Sequence, residues 1–143
     1  MLPVLWSKWV PSPLITGMYQ FAKIQGDVWN IEIELTSINS PFLRVQFFFE
    51  CPMIAYQQTL LSWRKKTLEI LHQQLGVSSR NWTFFTAQHS SYVAWLSQQS
   101  CETSMPDTCT HYVFITPDSM LDFVDWGKQK NQIIVTHNEY KEA

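Results

Sequence analysis

The stretch V-W-N-I-E-I-E-L-T, Val28 to Thr36, alternates apolar and polar side chains from Trp29 onward. Trp29, Ile31, Ile33 and Leu35 project one way and Asn30, Glu32, Glu34 and Thr36 the other, the pattern of a strand with one face in a core and one in water. Upstream, residues 18–24 alternate more loosely and Gln25-Gly26-Asp27 supplies a turn, so the two segments read as a hairpin. Downstream, a loop over residues 37–41 leads to Leu43, Val45, Phe47 and Phe49 alternating with Arg44, Gln46, Phe48 and Glu50, a third antiparallel strand. Symmetric closure of that loop sets Leu35 opposite Leu43, Ile33 opposite Val45, Ile31 opposite Phe47 and Trp29 opposite Phe49. It also puts Glu34 across from Arg44. A slip of one residue would turn the charges into the core, so the faces are strongly specified.

Beyond this meander the period changes. From Thr59 to Leu75, residues Leu60, Trp63, Leu68, Ile70, Leu71 and Leu75 gather mostly on one helical side, and Gly76 stands where a helix stops. Asn81 to Thr86 is aromatic and rich in strand formers. Ser90 or Ser91 caps a second helix ending near Gln99, with Tyr92, Trp95, Leu96 and Gln99 along one face. His111 to Thr116 reads as another strand, and Gln132 to Thr136 as a short last one. Residues 117–126 admit two readings. One is a helix with Thr116 as cap and Pro117 at its first position. The other is a turn at Pro117-Asp118-Ser119 and a strand with Leu121 and Phe123 facing in and Asp122 facing out; this hairpin leaves less apolar surface unexplained and is preferred. The expected architecture is a single α+β domain over residues 1–143, a mostly antiparallel sheet of about six strands with two helices. Residues 1–17 are read as an irregular N-terminal segment.

Composition narrows the function. Charged residues are 15% and hydrophobic ones 45% of the chain, with a net charge of −2. Neither the basic excess of a nucleic-acid-binding domain nor an apolar span long enough for lipid is present, so no nucleic-acid and no membrane partner is expected. Cys51, Cys101 and Cys109 match no metal, haem or redox spacing, and the start lacks a basic, apolar leader; both features fit the cytoplasm. His72, His89, His111 and His137 are scattered, and no glycine-rich phosphate loop occurs, so neither a metal nor another cofactor is expected. Cys101 or Cys109 with His111 and Asp122 is the one conceivable nucleophile, base and orienter, a combination that arises in almost any chain of this size. Arg64-Lys65-Lys66, the only basic run, reads as a wet helix face.

The aromatic surplus stands out, with seven Trp and nine Phe. Trp6 and Trp9, in a Pro-flanked segment, either mark a partner surface or pack over the open end of the sheet. S-S-Y-V-A-W-L (90–96), H-Y-V-F-I-T (111–116) and D-S-M-L-D-F-V (118–124) resemble, in order and spacing, a loose group of small bacterial proteins encoded beside polymorphic or secreted toxins. Several members of that group are taken to be immunity proteins. The resemblance covers residues 18–126, carries over no catalytic residue, and implies a non-catalytic protein that neutralises a cognate toxin by stoichiometric binding. A phage-type inhibitor of host defence would carry the same features, and a small enzyme with a Cys/His site is the other alternative. Acidic side chains suit a toxin with a basic cleft. The expected contacts are therefore Glu32 and Glu34 on the sheet and Asp118 and Asp125 near the later turn, with Trp6 and Trp9 as the aromatic candidates.

Overall fold

The computed structural model describes residues 3–40, 42–49, 53–100, 109–126 and 132–137. The fold is α+β and mostly sheet. A four-stranded antiparallel sheet has the order β2-β3-β4-β9, built from β2 (Tyr19–Gly26), β3 (Ile31–Ser37), β4 (Leu43–Phe49) and β9 (Gln132–His137). A five-stranded antiparallel sheet has the order β1-β6-β7-β8-β5, built from β1 (Leu5–Lys8), β6 (Phe84–Gln88), β7 (Thr110–Ile115), β8 (Ser119–Asp125) and β5 (Met53–Leu60). The expected single sheet of about six strands is thus two sheets. Residues 5–8, inside the segment read as irregular, form a strand on β6.

The alternation of β3 and β4 is as expected, but their register is offset. Ile33 pairs with Phe47 and Leu35 with Val45, each two residues beyond the expected partner. Ser37 explains the offset, because its hydroxyl accepts from the N–H groups of Asn39 and Ser40 at 3.2 Å each. Ser37 therefore belongs to the strand and closes the loop itself. An offset of two keeps every side chain on its face, so Glu34 still meets Arg44, diagonally, at 3.4 Å. Trp29 is corrected outright. Asp27 accepts from the Trp29 N–H at 2.9 Å in a turn over residues 27–30, which leaves Trp29 outside β3 and 64% exposed.

The hairpin reading of 117–126 holds, with Ile115 paired to Met120 and Tyr112 to Phe123. The helix expected from Thr59 starts later, as α1 (Lys65–Leu75), because Thr59 and Leu60 end β5 on Met120 and Ser119. Gly76 ends α1 as expected, and α2 (Ser91–Gln99) is capped by Ser90, whose Oγ accepts from the Val93 N–H at 3.1 Å.

The two sheets pack face to face over rings. Phe47 lies 4.9 Å from Phe114 and 5.5 Å from Phe84, and Phe49 lies 5.0 Å from Phe123. Trp9 joins this layer, 4.7 Å from Tyr112 and 5.7 Å from Phe47. The other face of the five-stranded sheet is covered by the helices. Gln74 of α1 accepts from the Trp6 N–H at 2.8 Å and donates to the Val4 carbonyl at 2.7 Å, tying α1 to β1. Every residue of β8 is buried as a result. A strand covered on both faces can no longer turn its polar side chains to water.

Gly26 ends β2 at φ +118°, where an added Cβ would lie 2.0 Å from the Asn30 carbonyl oxygen. Gly76 also has positive φ, but a Cβ there meets nothing within 4 Å. Gly26→Ala is therefore expected to cost about 2–3 kcal/mol and Gly76→Ala about 1 kcal/mol. Urea unfolding of the two variants checks the difference; equal losses would remove the steric account.

Candidate functional site

A buried ionic cluster lies between the helical layer and the five-stranded sheet. Asp122, midway along β8, points to the helical side and is fully buried, where a wet face was expected. Its carboxylate accepts from Arg64 Nη1 at 2.6 Å and from His111 Nε2 at 2.9 Å. Arg64 arrives from the residue before α1, and His111 from β7 beside β8. Burial by itself would raise the Asp122 carboxyl, but the hydrogen bonds from His111 and Arg64 and their charges outweigh it and hold the group below the usual carboxylate value. Arg64 is thus no member of a wet helix face.

The pairing also fixes the imidazole. An ionised Asp122 accepts from Nε2, so that nitrogen carries a proton. Nδ1 is buried and has no hydrogen-bond partner among the described residues. Tyr92 of α2 closes one side, its ring 5.6 Å from the imidazole and edge-on to it. Burial, and behind it the Asp122 charge, push the Tyr92 phenol up, so it stays neutral. Of the conceivable nucleophile, base and orienter, His111 and Asp122 come together, Cys109 precedes β7 by one residue, and Cys101 lies outside the described residues.

In front of His111 is a cavity of about 270 Å³. Trp6 and Ile70 form apolar wall, while Lys66, Ser90 and Ser91 bring the first turns of α1 and the cap of α2 to it. Trp6 resembles His111 in one respect: its indole Nε1 is buried without a partner among the described residues.

A second feature lies on the surface. Where β5 runs into α1, Leu60 is 62% and Trp63 79% exposed. Leu60, Leu61, Leu68 and Pro117 line an open trough of about 440 Å³, with Asp118 and Lys65 at its edge. The Leu61 N–H donates to the Asp118 carbonyl at 2.9 Å, which fixes the β7–β8 turn against this corner.

The expected contact residues do not form one surface. Glu32 is ion-paired with Lys23 at 3.6 Å and Glu34 with Arg44 at 3.4 Å, so their charges are answered within the sheet. Asp118 is exposed and shares a hollow with Gln20 and Phe21, the opposite end of β2 from Gly26, beside which Glu32 lies. Asp125 ends β8 and is 3% exposed, so its side chain belongs to the interior. Trp6 and Trp9 pack inward, Trp6 from within strand β1. The exposed tryptophans are Trp29, Trp63, Trp95 and Trp126 instead. The helical period puts Trp63 on the inner side of a helix, and the later helix start turns it out. No protein family, curated protein or solved structure matches the chain.

Proposed function

We propose that the protein is a non-catalytic binding protein of the immunity type, acting in the cytoplasm by stoichiometric capture of a bacterial toxin. The exposure of Leu60 and Trp63 where β5 runs into α1, with Leu60 in the lining of an apolar trough, carries this reading. Solvating an indole and a leucine side chain on a charge-poor surface is costly, and Trp is among the residue types that dominate protein interfaces. Asp118 and Lys65 at the trough edge supply a polar rim. Glu32 and Glu34 serve the sheet through their ion pairs and are left out of the contact. The capture needs no turnover, and the His111–Asp122 pair then has a structural part only. Among the described residues no helix is long and apolar enough to cross a membrane.

The test is coexpression with the product of the neighbouring reading frame, followed by calorimetry of the purified pair. A one-to-one complex is expected, with Trp63→Ala losing about 2 kcal/mol, some 30-fold in Kd, while Glu32→Lys and His111→Gln leave the toxin neutralised. Normal binding by both Trp63→Ala and Leu60→Ala would sink the assignment of the surface. Loss of neutralisation in a folded His111→Gln variant that still binds would sink the non-catalytic reading.

A further inference from the structure

Strand β5 is an edge of the five-stranded sheet, and among the described residues it pairs with β8 alone. The direction of its main-chain groups follows from the turn beside it. The Thr116 N–H donates to the Ser119 carbonyl at 2.9 Å, so the main chain of Ser119 is turned to β7. By the alternation of an antiparallel ladder, Met120 and Asp122 are then turned to β5, and their partners Thr59 and Gln57 give their N–H and C=O groups to β8. The Leu61 N–H, which donates to the Asp118 carbonyl at 2.9 Å, continues the same series. The N–H and C=O groups of Tyr56, Gln58 and Leu60 therefore point out of the sheet, where an extended chain can take them.

Proteins blunt such edges with charge, bulges or shortness. Strand β1 has four residues, ends on Lys8, and has its Trp6 N–H taken by Gln74. Strand β2 carries Lys23 and a register shift between Phe21 and Lys23. Strand β5, M-I-A-Y-Q-Q-T-L, has no charged residue, and beyond the shift between Met53 and Ala55 its pairing with β8 is regular. Strand β9 is uncharged but for His137, and the one large apolar side chain it exposes is Ile134. On β5 two are exposed, Tyr56 at 37% and Leu60 at 62%, and with Gln58 between them they share the face of Leu121 and Phe123.

We propose that β5 pairs antiparallel with β5 of a second copy of this chain, joining two five-stranded sheets edge to edge. A twofold axis perpendicular to the sheet keeps each face on its own side. Centred on Gln58, it matches every outward main-chain group: Gln58 meets its own counterpart, and Tyr56 of either copy meets Leu60 of the other. Each such pair exchanges both N–H···O bonds. The two exposed apolar side chains cover each other, an aromatic against an aliphatic. An axis moved to Gln57 would set Tyr56 against Gln58 and lose that pair. Self-pairing also suits the charge pattern, because a charge at the axis meets itself, whereas the Gln58 amide both donates to and accepts from its counterpart. Leu60 lies in the trough assigned to toxin capture as well, so the two contacts exclude each other there.

Sedimentation equilibrium of the purified protein is the test, and because it uses no toxin its failure leaves the capture reading standing. The pairing is short and the dimer accordingly weak: the mass is expected to rise from 16.8 kDa toward twice that between micromolar and millimolar concentration. Gln58 is exposed, so Gln58→Lys and Gln58→Glu keep the fold, which circular dichroism checks. Each sets like charges opposite one another and is expected to weaken the dimer about tenfold or more, while an equal mixture of the two variants recovers it. Ile134→Lys, on the β9 edge, is expected to dimerise as wild type does. A wild type that stays monomeric at millimolar concentration overturns the proposal. So does a dimer that neither Gln58 variant weakens, a mixture no more associated than its components, or a dimer lost through Ile134→Lys.

Discussion

Asp122→Ala is expected to destabilise the protein by about 3–5 kcal/mol at neutral pH, the usual consequence of removing one partner from a buried ion pair. The carboxylate is the only group named above that joins β8, β7 and the start of α1, through His111 and Arg64. Without it the Arg64 guanidinium, 20% exposed, loses its counter-charge and the His111 ring, 4% exposed, loses its hydrogen-bond partner. The loss has a defined pH dependence. The folded protein holds Asp122 below its ordinary value, so between that value and the unfolded one of about 3.9 the unfolded chain binds more protons. The carboxylate's contribution is therefore complete above about pH 4 and fades as the pH falls through the folded value. Urea unfolding of wild type and variant at pH 7 and pH 3 measures this. The gap between them should narrow in acid; a gap under about 1 kcal/mol at pH 7, or one that widens in acid, contradicts the account.

Phe47→Ala carries the second large effect. The ring is fully buried where the sheets meet, within 4.9–6.2 Å of Trp9, Phe49, Phe84 and Phe114. Four rings held by β-sheet backbones cannot close over the space it leaves, so the loss should approach the upper part of the range of about 3–5 kcal/mol. Phe48, one residue on and half-buried on the opposite face, is the control and should cost well under half as much on truncation to Ala. Thermal and urea denaturation of the pair decide it. Similar losses at 47 and 48 would mean that the inter-sheet layer is not the principal core.

The sequence made the faces of the sheet legible and left their partners obscure. Period two in β3 and β4 reports which side is buried, and the structure agrees, yet it is blind to an offset of two residues, which the Ser37 hydroxyl decides. Strand β5, M-I-A-Y-Q-Q-T-L, does not alternate, and its last two residues blended into the helical period after it. A single core would leave Asp122 facing water; the second layer, of helices, buries it. The ionic cluster follows from that second layer: His111 and Asp122 share one hairpin, but Arg64 stands 58 positions from Asp122 and no motif connects it to them. Trp6 and Trp9 were flagged as unusual by composition, and only β1 pairing with β6 gives the reason.

Both sheets are completed by strands far away in the chain. Leu5 of β1 pairs with Gln88 of β6, and Leu43 of β4 with His137 of β9. Contacts of such long sequence separation slow folding, toward milliseconds to seconds in comparable all-β topologies. Synthesis from the N-terminus adds an order to this. The β2–β4 meander is made early and pairs locally, while Leu5, Trp6 and Trp9 leave the ribosome long before Phe84 and Phe114, the rings and strands that receive them. Through that interval the nascent chain carries an apolar, aromatic segment whose partner strands are not yet made, which exposes it to aggregation before the fold can close.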